Sequence, residues 1–237
     1  MIKLFSNHLE LSRAAATYVY LLGKRSVARR GRFDLLLAGG RTPCEIYRLL
    51  SDRARHGRSL WRNTHIYWSD ERAVGAKHPD SNYGMAREWL LDRLELRPEQ
   101  VHRIGVDGPD LAAAAEQYEQ VLPERADLLL LGVGADGHTA SLFPGSPAIK
   151  EQKRRVMAVE APVEPRLRIT VTPAVIAVAR NVVVAVSGSG KAAALRRVFD
   201  KQGDVTHTPA RLARRGTWFV DHAAARELMA MGLVSLE

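Results

Sequence analysis

The stretch "DLLLLGVGADGHTASLFPGS", residues 127–146, decides how the chain is read. Residues 127–132 are an apolar run of strand length without alternation, as expected for a strand buried on both faces of a mostly parallel sheet. Gly132-Val133-Gly134-Ala135-Asp136-Gly137 then matches the dinucleotide-binding fingerprint literally. That fingerprint has to open a helix packed on the preceding strand. Pro144, Gly145 and Pro147 interrupt any such helix. The segment is therefore expected to be a loop at a strand end that presents Asp136 and His138, not a nicotinamide or flavin site. A histidine there can act as a general base near neutral pH.

Runs like 127–132 recur along the chain. Residues 33–38, 64–69, 156–161, 167–172, 181–187 and 217–221 also read as strands. Residues 8–29, 43–56, 83–94, 110–122, 190–200 and 222–229 read as helices between them. This alternation predicts an α/β fold of three layers, α/β/α. It has an open, mostly parallel, Rossmann-like sheet covered by helices on both faces. No repeat, low-complexity tract or linker divides the 237 residues, so one domain over 1–237 is expected. In such sheets ligands sit beyond the carboxyl ends of the strands. The polar motifs gather at those ends: Gly39-Gly40-Arg41-Thr42-Pro43, Asp70-Glu71-Arg72, the Asp136–His138 loop, and Gly188-Ser189-Gly190-Lys191.

Composition excludes several classes. An apolar fraction of 46% rules out a disordered chain. No apolar run approaches the ~18 residues of a membrane span, and no signal-peptide pattern opens the chain. The single cysteine, Cys44, allows no disulfide within the chain and suits a reducing, cytoplasmic compartment. The net charge is +9, which admits polyanions. However, the basic residues are dispersed and not interleaved with aromatics, so nucleic acid is not the expected partner. An anionic small molecule needs only two or three of these charges.

Each motif carries a local structural reading beside a chemical one. In "GGRTPCEIYRLL" (39–50), Thr42, Pro43 and Glu45 form a capping-box pattern, and a helix start is also a phosphate site. In "SGSGKAAAL" (187–195) a full P-loop fails. Its first glycine would fall on Ala185, and Ala192 replaces the Mg²⁺-binding hydroxyl. Lys191 remains in the first turn of a helix, where the dipole disfavours a cation unless an anion is close. "SDERAVGAKHPDSNYGM" (69–85) reads as a polar loop, with Ser81 or Asn82 capping the next helix. Arg166 and Arg168, two apart on a strand, share one face and could fork onto phosphate oxygens.

Occurring together and in order, these segments resemble the 6-phosphogluconolactonase family and, more broadly, the fold it shares with glucosamine-6-phosphate deaminase. The matching pieces are "GGRTP" (39–43), "WSDER" (68–72) with "SN" (81–82), "GVGADGHTASLFPGS" (132–146), "RITVT" (168–172) and "SGSGKAAAL" (187–195). "TPARL" (208–212) and "TWFVDHAAA" (217–225) extend the match to the C-terminal end. The resemblance implies hydrolysis of 6-phospho-D-glucono-1,5-lactone, the second step of the oxidative pentose phosphate pathway, with no metal and no organic cofactor. It implies His138 as general base, with Asp136 or Asp70 orienting it or the substrate hydroxyls. Gly39, Gly40, Arg41, Thr42, Asn82, Arg168 and Lys191 are the expected substrate contacts, and Arg72 reaches the phosphate or the sugar. The related deaminase loop resembles "DGHIAFNEP", with a glutamate before the proline; this chain has Phe143 there, which argues against the deaminase and isomerase. The expected partner is a phosphorylated sugar lactone, with no nucleic acid and no membrane. The chain is expected to be a monomer or weak homo-oligomer.

Overall fold

The computed structural model describes residues 1–53 and 58–235. In chain order it runs β1 (Ile2–Phe5), α1 (His8–Arg30), β2 (Phe33–Leu37), α2 (Thr42–Asp52), α3 (Arg58–Arg62) and β3 (Thr64–Trp68). There follow β4 (Asp70–Arg72), α4 (Asn82–Trp89), α5 (Leu111–Val121), β5 (Leu128–Leu131), β6 (Val156–Glu160) and β7 (Leu167–Val171). The chain closes with α6 (Pro173–Val178), β8 (Val182–Val186), α7 (Ala192–Phe199), β9 (Thr217–Asp221) and α8 (His222–Ala230).

Six strands form a parallel sheet in the order β1-β9-β8-β5-β2-β3, flanked by helices. The apolar runs lie in its middle: β2, β5 and β8 are buried along their whole length, β2 with one charged residue, Asp34, which pairs with Arg32 at 2.7 Å. Each leucine or valine sealed there contributes roughly 1.5–3 kcal/mol of transfer free energy. Two expected strands are not in this sheet. β6 and β7 instead pair antiparallel, and β7 pairs with β4, giving a three-stranded sheet β4-β7-β6. The segment 70–72, read from sequence as solvated loop, is a strand whose Asp70 and Glu71 are 5% and 2% exposed. The edge strand β1 and the short helices α3 and α6 were not expected either. The helix expected over 43–56 is present as Thr42–Asp52, and 54–56 lie outside the described residues.

Many of the arginines are structural. Arg211 donates to the carbonyls of Arg197, Val198 and Asp200, and Arg215 to those of Ile176 and Ala179. Arg30 and Arg180 both pair with the buried Asp127. Among the described residues, no helix is long and apolar enough to cross a membrane.

The sheet order fixes where a ligand can enter. From β2 the chain moves to β3 on one side, while from β5 it moves to β8 on the other. Connections leaving in opposite directions open a crevice at the carboxyl ends between β2 and β5.

Candidate active site

That crevice holds a cavity of about 420 Å³, walled by residues from four strand ends, among them Gly40, Thr42, Asp70, His138, Arg168 and Lys191. The loop after β5 carries the general-base candidate. No helix opens at the Gly132–Gly137 fingerprint; a turn spans it instead. His138 Nδ1 lies 2.6 Å from Asp136 Oδ1, and the same oxygen accepts the His138 backbone N–H at 3.1 Å. Burial alone would raise the Asp136 pKa, but the hydrogen bond and charge of His138 outweigh it and hold the carboxyl below its ordinary value. An ionised carboxylate only accepts, so Nδ1 donates in this hydrogen bond, and in the neutral ring Nε2 is then the nitrogen with the free lone pair.

Gly134 makes this pair possible. A Cβ there would lie 2.1 Å from His138 Nδ1 and 2.4 Å from Asp136 Oδ1. The glycine spacing that mimics a nucleotide motif thus serves a close approach between side chains. Gly134→Ala is expected to lower kcat by roughly tenfold or more by displacing the imidazole, with little change in KM; steady-state kinetics checks it. Unchanged kcat would mean that the pairing geometry is irrelevant to rate.

Phe143 lies between the base and the cationic wall. Its ring centroid is 4.5 Å from that of His138, and the Arg168 guanidinium sits 5.4 Å from it. The residue that departs from the deaminase pattern is thus an apolar spacer, buried beside the base.

The cationic wall comes from three places. At the start of α2, the expected capping box is not formed. Arg41 occupies the cap position in helical conformation with no side-chain cap, and Glu45 is held by Arg48 at 2.6 and 2.9 Å. Pro43 has no N–H to offer and the Cys44 N–H donates to the Arg41 carbonyl at 3.2 Å, so of the first three residues of α2 it is the Thr42 amide that keeps anion-binding capacity. Lys191 ends a 3-10 turn (Ser189–Lys191) at the head of α7. Burial lowers its pKa, the charge of Asp136 raises it, and Arg41 lowers it further. Arg168 lies on β7 directly opposite Arg72 on β4, and burial followed by the Arg72 charge lowers its pKa. Like charges facing each other across antiparallel strands are destabilising, so this pairing suits an anion between them. Arg166, expected beside Arg168 at the phosphate, is not among the residues lining the cavity. It precedes β7 and pairs with Glu160 at 2.7 Å.

Buried carboxylates hold these elements in place. Asp70 does not touch His138. Its Oδ2 accepts from Ser141 Oγ at 2.7 Å, and its backbone carbonyl accepts from Asn82 Nδ2 at 2.8 Å. Asn82, expected to meet substrate, lies behind the wall: it is 1% exposed and its amide would be 2.0 Å from a Cβ on Gly39. Glu71 accepts the backbone N–H groups of Arg72, Asn82 and Tyr83, and Ser81 caps α4 through the Gly84 N–H. Burial raises the Glu71 pKa, although those amide bonds oppose it. Asp221 plays a similar part below Lys191, accepting from Ser187 Oγ and the Gly188 N–H while capping α8. Cys44 lies behind the α2 loop, 3.6 Å from the Gly40 carbonyl, and burial raises its thiol pKa. Ser141 and Asp221 were not singled out from sequence, and Glu71 only as a member of the Asp70-Glu71-Arg72 motif, without a role of its own.

The family described as glucosamine-6-phosphate isomerases/6-phosphogluconolactonase matches residues 6–220. The chain belongs to this family. A human 6-phosphogluconolactonase is 37% identical over 243 residues, covering 96% of this chain and 93% of that protein. A Synechocystis 6-phosphogluconolactonase is 35% identical over 217 residues, 86% of this chain and 88% of that one. Among solved structures, the Trypanosoma brucei 6-phosphogluconolactonase superposes with a TM-score of 0.83 at 29% identity, covering 96% of this chain and 98% of that one. A monomeric glucosamine-6-phosphate deaminase also reaches 0.83, at 21% identity, over 95% of this chain and 98% of that one. Backbone likeness thus does not separate the family's two chemistries; the residues around His138 must.

Proposed function

We propose that this protein hydrolyses 6-phospho-D-glucono-1,5-lactone to 6-phosphogluconate, the lactonase step of the oxidative pentose phosphate pathway. The observation that carries it is the Asp136–His138 pair, 2.6 Å apart, with the buried, uncharged Phe143 beside it. In our reading, Nε2 of His138 takes a proton from water as its oxygen bonds to the lactone carbonyl carbon. The tetrahedral intermediate collapses by breaking the bond to the ring oxygen. The proton held on Nε2 then passes to that leaving oxygen, so water is added across the ester. Asp136 holds the imidazole in the required tautomer, and Asp70 supports the loop through Ser141.

The phosphate end is assigned to Gly40, Arg41, Thr42, Arg72, Arg168 and Lys191. Binding energy gained there positions the carbonyl without taking part in bond making. The Asp136–Lys191 neighbourhood supports a short span between base and phosphate end. We further propose a cytoplasmic location, which suits the lone cysteine, and no nucleic-acid partner. An assay on freshly made 6-phosphogluconolactone, corrected for spontaneous hydrolysis, tests the reading. Turnover is expected on that lactone and none on glucosamine 6-phosphate; the reverse pattern would overturn it.

A further inference from the structure

We propose that His8 is a further substrate contact, its imidazole Nε2 binding a phosphate oxygen of the ligand; this rests on the lactonase reading above. His8 is the first residue of α1 and lines the same cavity as Gly40, Thr42 and Lys191. Five buried side-chain polar atoms lack a hydrogen-bond partner among the described residues, on His8, Ser12, Trp61, Trp68 and Arg72. Only two of these residues, His8 and Arg72, line the cavity. Arg72 already belongs to the cationic wall.

A histidine with a purely structural role normally commits its ring nitrogens to partners. Here Nδ1 is sealed from solvent without one, which leaves Nε2 as the nitrogen able to meet a ligand. The nearby Glu45 carboxylate does not occupy the ring, because both its oxygens are held by Arg48. The surroundings favour an anion. α1 is 23 residues long, and its positive end opens where His8 stands. It packs against α2, whose start is the uncapped phosphate end. The three positions Thr42, Lys191 and His8 lie at the heads of three helices converging on one cavity.

The test uses the intact protein. In His8→Ala, KM for the phosphorylated lactone should rise about tenfold, the effect of one hydrogen bond to a charged group. The expected kcat is unchanged, and unphosphorylated gluconolactone should be unaffected. His8→Gln, which places an amide N–H near the Nε2 position, should recover most of the loss. Independently, titrating wild-type protein with inorganic phosphate should move the His8 ring resonances in a saturable way, assigned by their absence in His8→Gln. An unmoved His8 while the Gly40 amide shifts, or equal losses on both lactones, would overturn the contact. A wild-type protein without lactonase activity whose His8 still answers to phosphate would sink the activity and leave the contact standing.

Discussion

Replacing His138 by alanine is expected to lower kcat about 10²–10⁴-fold, the usual contribution of a positioned general base. KM should change far less, because the residues proposed to hold the phosphate lie elsewhere in the cavity. Asp136→Asn should also lower kcat, since an amide can donate toward Nδ1 and favour the opposite tautomer. The 2.6 Å contact between Asp136 and His138 makes the two changes non-additive. Steady-state kinetics of both single variants and the double variant checks this. Near-normal kcat in His138→Ala would remove the imidazole from the mechanism.

Removing one guanidinium or ammonium from the cationic wall should act on binding instead. Arg168→Ala or Lys191→Ala is expected to raise KM for the phosphorylated lactone by about 10- to 100-fold, since charge-assisted contacts contribute about 1.5–3 kcal/mol each. Unphosphorylated gluconolactone, lacking the group they are proposed to bind, should be nearly indifferent. The comparison isolates the phosphate from damage to the fold. Arg168 needs that control most, because it is 5% exposed and also packs over Phe143. Equal losses on both lactones would mean that the two residues support structure or chemistry.

The middle of the large sheet was legible because β5 and β8 are apolar without interruption and β2 is apolar but for Asp34, runs that only burial on both faces tolerates. β4 was not, because its three residues are all charged. What makes Asp70-Glu71-Arg72 a strand is non-local: pairing with β7 and hydrogen bonds from Ser141, Asn82 and Tyr83. No periodicity within three residues signals such partners. For the same reason β6 and β7 could be recognised as strands without revealing that they form a sheet of their own. In the site, Gly134, Asp136 and His138 could be read as one loop, but the choice of Asp136 over Asp70 as the imidazole's partner depended on the fold. Thr42 and Glu45 look like a capping box, yet Arg48 one turn along competes for the glutamate and takes it. Asn82 illustrates the opposite limit: it lies within a segment that surrounds the site and still turns inward, filling the space that Gly39 leaves.

The facing pair of Arg72 and Arg168 has a consequence at the bench. Any small dianion that enters between them relieves their repulsion, and phosphate and sulfate are small enough. If the proposed phosphate end is right, either ion in an assay buffer is expected to compete with substrate there and inflate the measured KM. In a thermal melt the same ion binds the folded state alone and raises Tm by mass action. One reagent therefore makes the enzyme look weaker in kinetics and sturdier in calorimetry, and values of either kind are comparable only at matched anion composition.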